Sequence, residues 1–517
     1  MARLFEYQSK NILKEGGVRI PEGKIAFSPE DVYKVSKKIG KPVVLKIQVW
    51  FTGRAGIGGI EFAETPEEAE KKSRKLLGMK VKGFVVDRIL VEEKLWIMKE
   101  YFAGLVIDDS EKCPVLIFSS SGGTGIEEIA RKHPEKITRI SVDVGKGVSD
   151  YEVRNIIKNA GFSGKQLLQI SDVLTKLYEI SRRYDARSAE MNPLVLTKEN
   201  LICAADCHLT IDDYAVFRHP ELGIEVAREF DRPPTELEKI AYEIEEKDYR
   251  GTFYFFQMAD GLTGKSNYIG FHGAGGGGSM MSMDSVLREG YELANFCDTS
   301  GNPPASKVYR AAKIILSQKG IMGYFASGSG VASQEQFHSA RGMVKAFLEE
   351  KLEIPAVIRL GGNYEEKAIE ILSSYLQDIP GTVEGYGRDD SPEFCAKRLK
   401  KLIEENEFSC HEIQPEIKPD LTEDAYSFET MTGKIFIDQK KCIHCQTKGC
   451  IKACAAGILK LEKEKPVLSI SREEAKKGKC TECLACELFC SFYEKKALYI
   501  SLPIPGLKEY KERLLSE

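Results

Sequence analysis

Eight of the fourteen cysteines stand in two tight runs, Cys442-x2-Cys445-x4-Cys450-x3-Cys454 and Cys480-x2-Cys483-x2-Cys486-x3-Cys490. Three thiolates on one turn and a fourth from the other run supply the four corners of a [4Fe–4S] cube. The usual crossed arrangement groups Cys442, Cys445 and Cys450 with Cys490, and Cys480, Cys483 and Cys486 with Cys454. Zinc and disulfides compete for the same residues. A single zinc takes four ligands in one tight site, and a third cysteine in each run plus a fourth three residues on exceeds that pattern. Two clusters are therefore expected. His444, inside the first run, is expected to pack or tune rather than ligate, because four cysteines suffice. Proline is absent after both runs, where Ala455 and Ser491 stand.

A second set of residues suits phosphate. Lys46 lies in the apolar run Val43-Val-Leu-Lys-Ile47 and is followed by the turn Thr52-Gly-Arg-Ala-Gly-Ile-Gly-Gly59. Backbone amides approach oxyanions closely where side chains are missing, and Lys46 and Arg54 add positive charge. An ordinary structural turn explains the same glycines equally well. Glu92 and Glu100 follow strand-like stretches and could accept from an adenine amine or a ribose hydroxyl, although exposed glutamates commonly do neither. Glu190, Asn192 and Asp206 offer hard oxygens, and a carboxylate with an amide oxygen suits Mg2+ bridging to phosphates. Cys203-x3-Cys207-His208 lacks a second ligand pair and reads as buried free cysteine. The glycines 273–278, with Ser279 opening a helix, are either an anion site on backbone amides or a turn that permits close packing. Met280, Met281 and Met283 beside them are expected to fill irregular core.

The elements that position these residues alternate apolar runs with charged helical stretches, and 517 residues imply about three domains. Residues 1–235 read as mixed α/β. After the break at Asp231-Arg-Pro-Pro234, a helical stretch from Leu237 to Lys247 opens a second α/β region, 236–406. Strand-like runs at Tyr268–Phe271, Met322–Phe325 and Ala356–Leu360 alternate there with helices, the pattern of a parallel, doubly wound sheet. Its last helix is expected to end near Asn406. Residues 407–428, with Gln414-Pro-Glu-Ile-Lys-Pro-Asp420, read as an extended linker. The cysteine module, 429–517, is flanked by short strands at Ile435–Ile437 and Leu498–Ser501; too small to bury much core, it is expected to fold around its clusters. The net charge of −4 excludes a broad electrostatic case for nucleic acid. No apolar run reaches the ~18 residues of a membrane span, and Met1-Ala-Arg-Leu-Phe-Glu-Tyr7 lacks a signal-peptide core. A reducing, cytoplasmic setting is the expectation.

Phe5-Glu-Tyr-Gln8, Val44-Leu-Lys46, Gly53-Arg54, Ile89-Leu-Val-Glu92, Gly122-Gly-Thr-Gly-Ile-Glu-Glu-Ile129, Glu190-Met-Asn-Pro-Leu-Val195 and Arg359-Leu-Gly-Gly-Asn363 resemble the succinyl-CoA synthetase β subunit up to about residue 400. Ala274-Gly-Gly-Gly-Gly-Ser279, Glu292–Phe296 and Ser300-Gly301 resemble ATP-citrate lyase and citryl-CoA synthetase. The resemblance implies an ATP-grasp domain and a flavodoxin-like ligase domain; the cysteine runs add a small α+β ferredoxin-like domain after them. It places Lys46, Gly53, Arg54, Ala55, Glu92 and Glu100 around ATP or ADP, and Asn192 and Asp206 on Mg2+. Glu190 would position a phosphohistidine supplied by a CoA-binding α-like partner; His272, Gly273, Gly275, Ser279, Gly330, Val331 and Ala332 fall at the substrate or phosphate site.

This sequence departs from that pattern in several places. Thr52-Gly-Arg-Ala-Gly56 lacks a lysine of the family's nucleotide loop. His272 replaces an asparagine, Gly330-Val-Ala332 replaces Gly-Ile-Val, and Leu360 stands where a citrate site has an arginine. No histidine has the phosphohistidine context, so the α-like partner is required and a hetero-oligomer follows. The leading expectation is an ADP-forming acyl-CoA synthetase subunit joined to an electron-transfer module that serves an oxidoreductase or ferredoxin partner. The alternative is a redox-complex subunit in which ATP gates or drives electron transfer without ligase activity.

Overall fold

The computed structural model describes residues 2–516 apart from 51–52, 82, 124–135, 225, 227, 229–231, 259–266, 329, 378, 407–409, 416–420, 423–424 and 495. Thr124–Ile129 of the glycine motif, His133, Thr52 and Asp231 therefore lie outside the described residues. The chain divides into two compact units, Met1–Pro234 and Thr235–Glu517. No described helix is long and apolar enough to cross a membrane.

Besides the two-stranded pair Lys80–Val81 and Phe84–Val85, the described residues of the first unit form two larger antiparallel sheets. The smaller runs in the order Gly23–Ala26, Ile89–Glu93, Val43–Ile47, Ile60–Ala63. Val43–Ile47 is buried throughout, which explains its unbroken apolar reading and encloses Lys46. The helix Pro66–Leu76 starts on Thr65, whose hydroxyl accepts from the Glu68 N–H at 3.2 Å. The larger sheet is built around the long strands Ile97–Asp108 and Ala186–Thr197. Leu174, Leu177 and Ile180, on one face of the helix Gly164–Arg183, are buried in the core beneath it.

The second unit centres on a sheet whose strands Asn295–Asp298, Tyr268–Ala274, Gly323–Gly328, Ala356–Arg359 and Val383–Tyr386 run parallel, with Tyr254–Gln257 antiparallel at one edge. The inner strands Gly323–Gly328 and Ala356–Arg359 are buried at every residue, as strands covered on both faces must be. The helix expected to end near Asn406 runs Pro392–Glu405. Lys434–Ile437 pairs antiparallel with both Tyr426–Glu429 and Leu498–Ser501, so the strands read on either side of the cysteine runs are neighbours.

An extended linker with a separately folded module is not what the second unit contains. Phe428, Ile435, Leu498 and Ile500 belong to the same apolar core as Leu237, Val308 and Phe347 of the ligase region. His411 in the intervening stretch is buried, and its N–H donates to the Ile321 carbonyl at 2.8 Å. Continuous burial of apolar surface holds the cysteine module against the ligase region.

Candidate functional site

On the first unit, six charged side chains meet in a closed network. Lys10 bonds both oxygens of Glu92 (2.6 and 2.7 Å) and lies 2.7 Å from Glu6. Lys46 reaches Glu6 at 2.8 Å, Glu92 at 3.1 Å and the Ala205 carbonyl at 2.6 Å. Arg54 spans Glu6 at 2.7 Å and Asp206 at 2.9 Å. Three cations thus balance three carboxylates, and all but Asp206 are buried. Burial alone would raise the Glu6 carboxyl, yet Lys10, Lys46 and Arg54 hold it well below the usual range; burial would lower Lys46 and Arg54, and their carboxylate neighbours raise both.

The structure therefore brings Lys46, Arg54, Glu92 and Asp206 together but pairs them with one another through Glu6 and Lys10. Both residues lie in Phe5-Glu-Tyr-Gln-Ser-Lys10 and were given no role by sequence; their one signal is the i,i+4 spacing on the helix Glu6–Glu15. Gly53 and Ala55, flanking Arg54, are exposed. The hairpin that pairs Leu194 with Ala204 continues through Ala205 N–H to the Pro193 carbonyl at 3.1 Å, which sets Asn192 across from Asp206. The Asn192 side-chain oxygen accepts the Gly123 N–H at 2.8 Å, and a Glu100 carboxylate oxygen borders the same glycine. Glu190 and His208 pair across neighbouring strands, and both line a cavity of about 410 Å3 that Glu6 also borders. Cys203 and Cys207 are buried beneath, and burial pushes the Cys203 thiol up to about 12.

The substrate positions of the second unit need correction. His272 is 1 % exposed, with one ring nitrogen 2.6 Å from the Tyr324 hydroxyl and the other 3.1 Å from that of Thr299. Burial lowers its pKa to about 3, so it is a neutral core residue with no ring nitrogen left for a carboxylate. Gly273 permits close packing: a Cβ there would lie 2.4 Å from the Ser279 hydroxyl. That hydroxyl donates to the Gly275 carbonyl, and the Gly275 N–H is bound by Asp298 at 3.1 Å. Neither group is open to phosphate. Met280 and Met281, expected in the core, are 59 % and 64 % exposed because they face outward from the first turns of the helix Gly276–Arg288. Ala332 bridges Gly362, leaving Val331 exposed and Gly330 in a left-handed turn against Arg359.

The cysteines sort into two groups. Cys442, Cys445, Cys450 and Cys490 line one small cavity of about 10 Å3. Cys454, Cys480 and Cys483 are the thiols whose charge bears on Cys486. These are the crossed groupings, and they arise because the helices Gly449–Lys452 and Ala485–Tyr493 pack directly together. Gly449 permits that approach, since a Cβ there would fall 1.9 Å from the Phe489 ring. Among the described residues, no three His, Cys, Asp or Glu converge as ligands of a single ion. Four thiols to a group is the donor set that a [4Fe–4S] cube takes. The Ala497 N–H donates to Cys490 Sγ at 3.2 Å, a contact that favours thiolate. Burial nevertheless pushes the Cys490 thiol up, as it does the other buried thiols of the groups, Cys442 and Cys480 to about 12.

An ATP-grasp domain family matches residues 3–196. The GDP-forming succinate–CoA ligase β subunit of Thermus thermophilus is 38 % identical over 369 residues, covering 71 % of this chain and 93 % of the relative. The chain belongs to the succinate–CoA ligase β-subunit family. It is thereby an acid–CoA ligase subunit. A second member, the ADP-forming subunit β 2 of Archaeoglobus fulgidus, is 36 % identical over 404 residues, 78 % of this chain and 100 % of its own. The fold extends to the ATP citrate lyase of Methanothrix soehngenii, solved with citrate and coenzyme A, at TM-score 0.64 and 19 % identity over 77 % of this chain and 99 % of that one.

Proposed function

We propose that the chain is the β-like subunit of an ADP-forming acyl-CoA synthetase, which converts a carboxylate, CoA and ATP to acyl-CoA, ADP and phosphate, reversibly. A CoA-binding α-like partner would carry the phosphohistidine. The observation that carries the reading is Glu190 on the wall of the ATP-grasp cavity, on the strand that also bears Asn192 and across a hairpin from Asp206. A carboxylate there can orient an incoming imidazole through its ring N–H. An entering polyphosphate competes with Glu6 and Asp206 for Lys46 and Arg54. Asn192 and Asp206 are the residues to hold Mg2+, which when bound neutralises phosphate charge.

The grouping of the cysteines supports two [4Fe–4S] clusters as part of the same protein. When bound, they supply one-electron transfer to an oxidoreductase or ferredoxin partner. A second reading, a redox subunit in which nucleotide gates electron transfer without ligase activity, is favoured by the buried His272 and the occupied Gly275 and Ser279 groups. Anaerobically isolated chain combined with an α-like subunit distinguishes the two. ATP-dependent CoA-thioester formation supports the ligase; nucleotide-dependent change in cluster reduction without thioester supports gating.

A further inference from the structure

Outside the sites above, the second unit contains a cavity of about 730 Å3 that joins the ligase helices to the cysteine turn. The helix Phe337–Glu349 forms one wall and carries a polar stripe at 338, 341, 345 and 349. Lys345 on that stripe bonds Glu487 at 2.6 Å and Glu349 at 2.8 Å, and lies 4.5 Å from the centre of the Tyr499 ring, fixing the helix against the residue next to Cys486. One helical turn earlier, Arg341 lines the cavity, as does Cys483, whose thiol is a charged neighbour of the guanidinium. The size lies within the range of small-molecule sites.

Arg341 is half-buried, and among the described residues its guanidinium has no carboxylate partner; it rests 4.6 Å from the centre of the Phe337 ring. Lys367 and Lys452 line the same space without ion pairs among the described residues, against the acids Glu335 and Glu370. A partly desolvated arginine with no carboxylate partner among the described residues, its anionic neighbours being the Cys483 and Cys486 thiols, can offer its planar fork to a further anion, and phosphate matches that fork. The remaining wall is aromatic. Tyr375 and Tyr493 meet edge to face with centroids 5.9 Å apart, offering ring faces and edges to a planar guest.

The geometry points to a binding site for a planar, phosphorylated redox cofactor of the flavin mononucleotide class, with its phosphate on Arg341, Lys367 and Lys452 and its ring against Tyr375 and Tyr493. A flavin, unlike a nicotinamide, accepts electrons singly as well as in pairs, which matches a one-electron group on Cys483. The choice of a redox-active guest rests on the proposed reading of the cysteines; the anion site rests on Arg341 and the cavity alone.

The test is a titration of the full chain, isolated anaerobically and assayed for iron and sulfide, with flavin mononucleotide, followed by quenching of flavin fluorescence. Saturable binding at one flavin per chain is expected, with riboflavin, which lacks the phosphate, at least tenfold weaker. Arg341→Gln should weaken the mononucleotide at least tenfold and narrow its advantage over riboflavin. Lys452→Gln, at an exposed position, should weaken it several-fold. Absence of saturable binding below millimolar flavin overturns the site, as does equal affinity for riboflavin or an unchanged affinity in both variants. Iron and sulfide content is scored separately: chain without them removes the cluster reading, while phosphate-dependent binding to it still upholds the anion site.

Discussion

Glu482, between Cys480 and Cys483, is 1 % exposed and accepts from Arg250 (2.6 Å), the Thr430 hydroxyl (2.6 Å) and the Thr432 N–H (2.8 Å). Burial would raise its pKa, but Arg250 and these donors hold it at about 2. A depressed carboxylate stabilises the fold above its unfolded value near 4.5 and loses that contribution as pH falls toward 2. Glu482→Gln should cost about 3 kcal/mol at neutral pH, and the gap in denaturant midpoint from wild type should narrow below pH ~4.5. His272 has the opposite chemistry but the same direction. Its pKa is lowered from 6.5 to about 3, so the unfolded chain binds a proton that the folded chain refuses, and stability falls by about 1.4 kcal/mol per unit below pH 6.5. His272→Gln should flatten the stability profile between pH 6.5 and 5; an unchanged slope would show that the ring is protonated in the fold. His411, buried and lowered to about 4, adds a second contribution that the variant leaves in place.

At the scale of elements, the cysteine helices depend on one atom-scale fit. Gly449→Ala would drive a methyl into Phe489 and push apart the helices that carry Cys450 and Cys490. On the proposed cluster reading, loss of one cluster is expected, iron falling from about eight to about four per chain; full iron retention would refute the fit. Lys448, Glu482 and Leu484 take left-handed backbone conformations in these turns, a strain on the order of 1 kcal/mol or more each that the surrounding bonds must hold. Sequence made the cysteine spacing, the apolar strand at Val43–Ile47 and the alternation around Tyr268, Gly323 and Ala356 legible, because local period and spacing encode them. The Lys345–Glu487 pair and the Glu6–Lys10–Glu92 network were hidden. Their partners are distant in the chain, and a buried lysine in a helix looks the same as a solvated one until its neighbours are known. His272 came to the substrate site by resemblance alone, as the residue replacing an asparagine, and only the fold reveals that Tyr324 and Thr299 engage both its ring nitrogens inside the core.

For the molecule as a whole, a shared core makes the cysteine module and the ligase sheet one thermodynamic body. Anaerobic removal of iron by a chelator should therefore lower a calorimetric transition that includes the ligase sheet and leave that of residues 1–234 in place; loss of the cysteine module alone would contradict the continuous core. Lys511 reinforces the joint, bonding Glu350 at 2.6 Å, and Arg513 pairs with Glu236. The first helix of the unit, Glu236–Lys247, consequently packs against Leu507–Ser516. On a ribosome adding about 5–20 residues per second, the two are made roughly 15–50 s apart. Residues 1–234 can mature while translation continues, and this helix can settle on the strand Tyr254–Gln257 soon after it is made, but the side of Ile240 that meets Gly506 stays uncovered until the far helix emerges.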